Sequence, residues 1–68
     1  PYAYREVDAA PWGVEQAWRL YDEEEEQWLD HWLITGGTRI VEFVSGNVEM
    51  NDARKAIVGE KLLNADAK

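Results

Sequence analysis

The stretch Pro11-Trp12-Gly13-Val14-Glu15-Gln16-Ala17-Trp18-Arg19-Leu20-Tyr21-Asp22-Glu23-Glu24-Glu25-Glu26-Gln27-Trp28-Leu29-Asp30-His31-Trp32-Leu33-Ile34 decides the fold of this chain. It holds all four tryptophans and a run of five carboxylates, Asp22 to Glu26. An acid run alone reads as disorder, because such a segment buries too little apolar surface to offset its ordering entropy. Tryptophans on both sides argue instead for an acidic surface held on a folded element.

Helix formers dominate the stretch, and no proline interrupts it after Pro11. Pro11 suits the first turn, where a missing N–H costs nothing. Asp8 is a candidate cap, and Glu15 favours a helix N-terminus electrostatically. Gly36-Gly37 offers the stop. These signals predict one helix over about 11–34, roughly 33 Å long. At about 100° per residue, Val14, Ala17, Trp18, Tyr21, Trp28 and Trp32 form an apolar stripe, with Glu23, Glu26 and Asp30 almost opposite. Glu25 breaks the pattern, falling inside the stripe, with Glu24 on its edge. An isolated buried charge is very costly, so the helix is expected to overhang its core or to break near Asp22–Glu23.

Outward from this stretch, Tyr2–Val7 reads as a short strand, with Tyr2, Tyr4 and Glu6 on one face. Thr38–Val44 is rich in β-branched residues and reads as a second strand. Ser45-Gly46-Asn47 is turn chemistry, and Val48–Met50 is expected to return and close a hairpin over about 38–50. Asn51 or Asp52 then caps a C-terminal helix over about 52–64, which Gly59 weakens by up to about 1 kcal/mol relative to alanine. The expected class is therefore α+β, a single domain over 1–68 in the order β-α-β-β-α, with a frayed tail at 64–68.

Sixty-eight residues allow one small core; a domain of this size buries only about 60% of its unfolded surface. With no cysteine there is no disulfide, thiolate ligand or cysteine nucleophile, which fits a reducing, cytoplasmic setting. No apolar run reaches the roughly 18 residues of a membrane span, so membrane partnership is not expected.

The formal net charge is −7, and its placement is lopsided. Glu6, Asp8, Glu15, Asp22 to Glu26 and Asp30 face only Arg5 and Arg19 in residues 1–34, whereas residues 35–68 balance. Such a field repels phosphate backbones and favours basic partners.

Catalytic and metal chemistry find little footing. Gln27, Glu24 and His31 would share one flank of the predicted helix. Trp28 precedes His31 by three, so the Glu-x-x-His pair of carboxylate-bridged sites is missing. The acid run lacks the alternation and glycine of a calcium loop. Thr35-Gly36-Gly37-Thr38 lacks the lysine of a phosphate-binding loop. No enzyme activity, cofactor or metal is expected.

The expectation is a non-catalytic acidic interaction module. It binds a basic protein, of the kind that itself handles nucleic acid, through Glu23, Glu24, Glu26 and Asp30. Trp12, off the main stripe, is expected to be the exposed aromatic beside them. By analogy of composition with small acidic phage proteins, such a helix would act as an inhibitor that imitates nucleic-acid charge. The alternative is an accessory subunit, with the aromatic stripe as an interface in a homodimer or complex.

Overall fold

The structure is a computed structural model that describes residues 1–64. It contains strands β1 (Tyr2–Val7), β2 (Gln16–Asp22), β3 (Gln27–Gly36) and β4 (Arg39–Val44), followed by one helix, α1 (Asp52–Leu63). A short 3-10 helix, Ala10–Trp12, joins β1 to β2. The strands form one antiparallel sheet in the order β1-β2-β3-β4. The expected tail at 64–68 lies outside the described residues from 65 onward.

The order β-α-β-β-α is therefore wrong, and the long helix over 11–34 does not exist. That stretch is a hairpin, β2 and β3, with Glu23–Glu26 as its turn. The physical reason lies in the residues flanking the acids. Trp18, Tyr21, Trp28, Trp32, Ile34 and Thr35 belong to the aromatic and β-branched types that suit a pleated surface. Cross-strand pairing rewards them: Tyr21 and Trp28 are register partners whose rings meet edge-on with centroids 4.9 Å apart. The expected hairpin over 38–50 is also corrected. Arg39–Val44 is a strand, but it pairs back onto β3, and Val48–Met50 is not a strand.

Register partners share a face of a sheet, so the pairing sorts the side chains. Val7, Ala17, Arg19, Trp32, Ile34, Val41 and Phe43 face one side. Tyr2, Tyr4, Glu6, Trp18, Leu20, Leu33, Ile40, Glu42 and Val44 face the other. Both faces carry large apolar groups. The clean apolar–polar alternation of a one-sided strand is therefore missing, and the helical period fits by coincidence.

The core lies on the first face. Trp12, Ala17, Trp32 and Ile34 are fully buried, with Val7, Val41, Phe43, Met50, Val58 and Leu63 packed around them. Trp12 and Trp32 meet at a tilt of 58° with centroids 5.2 Å apart, and Phe43 meets Trp12 edge-on at 6.4 Å. α1 closes this face. Asn51 caps it, its side-chain oxygen accepting the Arg54 N–H at 2.9 Å. Gly59 is the helix residue that touches the 3-10 segment: a Cβ there would overlap the Trp12 carbonyl oxygen. A residue that weakens the helix in isolation is thus what lets the helix pack.

Strand β3 carries a bulge. Arg19 pairs with Trp32, yet Tyr21 pairs with Trp28, so Leu20 opposes three residues, Leu29 to His31. Carbonyls freed there find partners. Arg19 donates its Nε–H to the Leu29 carbonyl at 2.7 Å, and the Ser45 N–H and hydroxyl donate to the Asp30 carbonyl at 2.8 and 3.3 Å. Trp32 in turn donates its Nε1–H to the Ser45 hydroxyl at 3.1 Å. The irregular backbone is thereby fixed, as buried polar groups require.

Candidate interaction surfaces

The acid run is the tip of the β2–β3 hairpin. Asp22, its first member, is buried and acts locally: Oδ1 accepts the backbone N–H of Glu24 at 3.0 Å and of Glu25 at 3.2 Å. This Asx turn needs a short acceptor side chain at that position. The Glu23 N–H donates to the Pro1 carbonyl at 3.0 Å, which ties the tip to the start of β1. Glu26 closes the turn with φ at 54°, left-handed backbone that a non-glycine residue adopts at a cost. The side chains of Glu23 to Glu26 all stand in solvent.

One base approaches them. Arg5 reaches Glu23 at 4.0 Å, with both side chains about half exposed, a geometry that contributes little. Glu24, Glu25 and Glu26 have no ion pair among the described residues. Nearby bases are engaged with rings instead. Arg5 stacks 3.7 Å over Tyr21, and Arg19 lies 4.3 Å over Trp32 and 5.8 Å from Trp28. Burial holds the Arg19 guanidinium below its usual pKa, an effect that Asp30 partly opposes. Lys55 of α1 sits 5.4 Å over Trp32 and 5.9 Å over Trp12. The cations therefore stiffen the helix-side face and leave Glu24, Glu25 and Glu26 without an ion pair among the described residues.

The sequence places Glu23, Glu24, Glu26 and Asp30 on one surface, and the structure brings together only the first three, joined by Glu25. Asp30 sits on the bulge, 3.8 Å from the His31 imidazole, and shares no ridge with the tip. Trp12, expected to be exposed, is 1% exposed and lies at the centre of the core. It makes no surface contact. Its Nε1–H has no hydrogen-bond partner among the described residues.

The opposite face of the sheet is the feature that the helical reading hid. No described element covers it. Tyr2, Ile40 and Val44 are each more than half exposed, Tyr4 stands at 36%, and Trp18, Leu20 and Leu33 are half-buried between them. The Tyr4 hydroxyl donates to Glu42 Oε2 at 3.2 Å. Burial first, and then Glu42 as hydrogen-bond partner and charge, raise the Tyr4 phenol above its ordinary pKa. The alternation of Tyr2, Tyr4 and Glu6 is legible in the sequence; the matching alternation of Trp18 and Leu20 is the signal that could have found the rest.

Two open grooves flank α1. One, about 590 Å³, runs between the 3-10 segment and the helix, with Glu60 its one carboxylate among the described residues. The other, about 200 Å³, is apolar apart from Ser45 and Arg54. Among the described residues no three histidine or carboxylate side chains gather as a metal site, and no helix is long and apolar enough to cross a membrane.

No protein-family model matches this chain, and neither does any curated protein or solved structure. The expectation of an inhibitor imitating nucleic-acid charge, drawn from phage proteins, is corrected here. It rested on carboxylates spaced along a rigid helix, and the four glutamates instead cluster in one turn. Neither the fold nor any comparison supports an inhibitor or a viral protein.

Proposed function

We propose that this chain is a non-catalytic protein-interaction module that docks a basic surface of a partner protein through the tip of its β2–β3 hairpin. The observation that carries this reading is the tip itself. Four consecutive glutamates stand in solvent on a turn fixed by Asp22, and three of them have no ion pair among the described residues.

The charge asymmetry supports the same reading. The four tip glutamates are all exposed, so their field reaches directly into solvent. Such a field quickens association with a basic partner and weakens as salt screens it. A cytoplasmic setting belongs to the proposal and fits a chain without cysteine.

The experiment is an affinity capture at low salt, run in parallel with the protein and with a variant in which Glu23 to Glu26 are all glutamine. The reading expects basic proteins to be retained by the first, released by added salt, and absent from the second. Equal retention by both would overturn it.

A further inference from the structure

We infer that the open face of the sheet is a second docking surface, and that its occupant is an amphipathic basic helix of a partner protein. The inference rests on the proposed reading that partners are basic, and it adds the surface that takes the apolar half of the contact.

The face has an apolar centre and an aromatic rim. Trp18, Leu20 and Leu33 lie at its middle, on the two central strands. Tyr2 and Tyr4 on β1, with Ile40 and Val44 on β4, border them on either side. A contiguous exposed apolar patch on a small protein marks an interaction site more often than it marks idle surface. α1 cannot cover it, because Gly59, Val58 and Leu63 are committed to the opposite face.

Charge selects the occupant. Glu6 and Glu42 belong to this face. None of the described lysines and arginines does. Arg5, Arg19 and Arg39 pair into the helix-side face, and Arg54, Lys55 and Lys61 sit on α1. His31, beside Asp30, is the face's imidazole. A second copy of this chain is a poor occupant. It would set Glu6 and Glu42 against their own counterparts and bring two net charges of −7 together. An anionic membrane is disfavoured for the same reason. A helix with an apolar stripe flanked by lysine or arginine satisfies both halves. Its stripe packs on Trp18, Ile40 and Val44, and its cations reach Glu6, Glu42 and the tyrosine rings.

Size agrees. Four strands at about 4.8 Å spacing give a face about 14 Å wide between edge strands, which accommodates one helix of about 10–12 Å diameter. The tip glutamates lie at one end of this face, beyond the register pair Tyr2 and Asp22, so a helix lying along the strands runs toward them.

The test uses an 18-residue leucine–lysine peptide of helical period as the probe, with a scrambled peptide of identical composition as control. Binding is followed by amide chemical shifts and by titration. Ile40→Lys and Val44→Lys place cations on the face at exposed positions, so folding is retained, and thermal melts check that it is. The inference expects the periodic peptide to shift residues of the open face, to bind at least tenfold more tightly than the scrambled one, and to lose at least tenfold in affinity with either variant. If both peptides bind equally and shift only Glu23 to Glu26, the face is not a docking surface, while the tip reading stands. If neither binds, the inference fails, and a failure of the affinity capture as well would mark the loss of the tip reading.

Discussion

Tyr4 on β1 and Glu42 on β4 share a hydrogen bond of 3.2 Å across the full width of the sheet. Their strands are three spacings apart, about 14 Å, so both side chains must lie down along the open face, Tyr4 from beside its register partner Leu20 and Glu42 from beside its register partner Leu33. The bond is exposed and contributes modestly. Tyr4→Phe is expected to cost less than about 1 kcal/mol near neutral pH, measured from urea midpoints.

The same bond makes a pH prediction. Folding raises the Tyr4 phenol above its ordinary value of 10.0. The contribution of that protonated phenol is thus complete below pH 10 and is lost as the pH climbs through the raised value. The stability difference between the protein and Tyr4→Phe should shrink over that alkaline range. In Glu42→Gln, titration of the Tyr4 ring by NMR should move back toward 10 without reaching it, because burial is the larger cause. A Tyr4 titration indifferent to Glu42→Gln would contradict the bond.

Gly59→Ala should destabilise the fold although alanine is the better helix former. The propensity gain is about 1 kcal/mol. The new Cβ overlaps the Trp12 carbonyl; overpacking of this kind costs about 1–3 kcal/mol, and an overlap with backbone falls toward the upper end, which outweighs that gain. The expected net effect is a lower urea midpoint, with Trp12 fluorescence reporting the displaced helix.

Asp22→Ala removes the acceptor of two backbone N–H groups and should cost about 1–2 kcal/mol. Asp22→Asn keeps an oxygen in place and should recover most of the loss. Hydrogen exchange at the Glu24 and Glu25 amides distinguishes the two variants: fast in the alanine form, slow in the asparagine form.

Glu26→Gly should raise stability by about 1 kcal/mol, because glycine adopts positive φ without the steric cost that an L side chain meets. A thermal melt that falls on this substitution would show that the Glu26 side chain has a structural role beyond the turn.

Part of this fold is legible in the sequence. Tyr2–Val7 carries strand formers in alternation, and Asn51 ahead of Asp52 announces the C-terminal helix. The middle is not legible, for a specific reason. Glu23 to Glu26 are strong helix formers, and Ala17, Trp18, Tyr21, Trp28 and Trp32 happen to share a helical stripe, whereas in the sheet Trp18 parts from the others and faces away. Glu25 inside that stripe was the local sign of a break. That the break is a turn between strands depends on cross-strand contacts such as Tyr21 with Trp28, which a helical reading does not consider. Of the site residues, Glu23, Glu24 and Glu26 survive as one cluster because neighbours in a turn stay together. Asp30 and Trp12 do not, because the β3 bulge and the 3-10 segment set their surroundings.

Under the proposed function the hairpin tip, and not net charge in general, recognises a basic partner. Two variants separate these. One changes Glu23, Glu24, Glu25 and Glu26 to glutamine; the other changes Asp8 to asparagine and Glu15, Glu49 and Glu60 to glutamine. Each removes four of the seven excess negative charges. The deciding measurement is the affinity of each variant, and of the parent protein, for a decalysine peptide over a salt series. The tip variant is expected to lose most of the affinity and its salt dependence, while the second variant keeps both within about a factor of three, an energy difference of well under 1 kcal/mol. Equal losses in the two variants would contradict it.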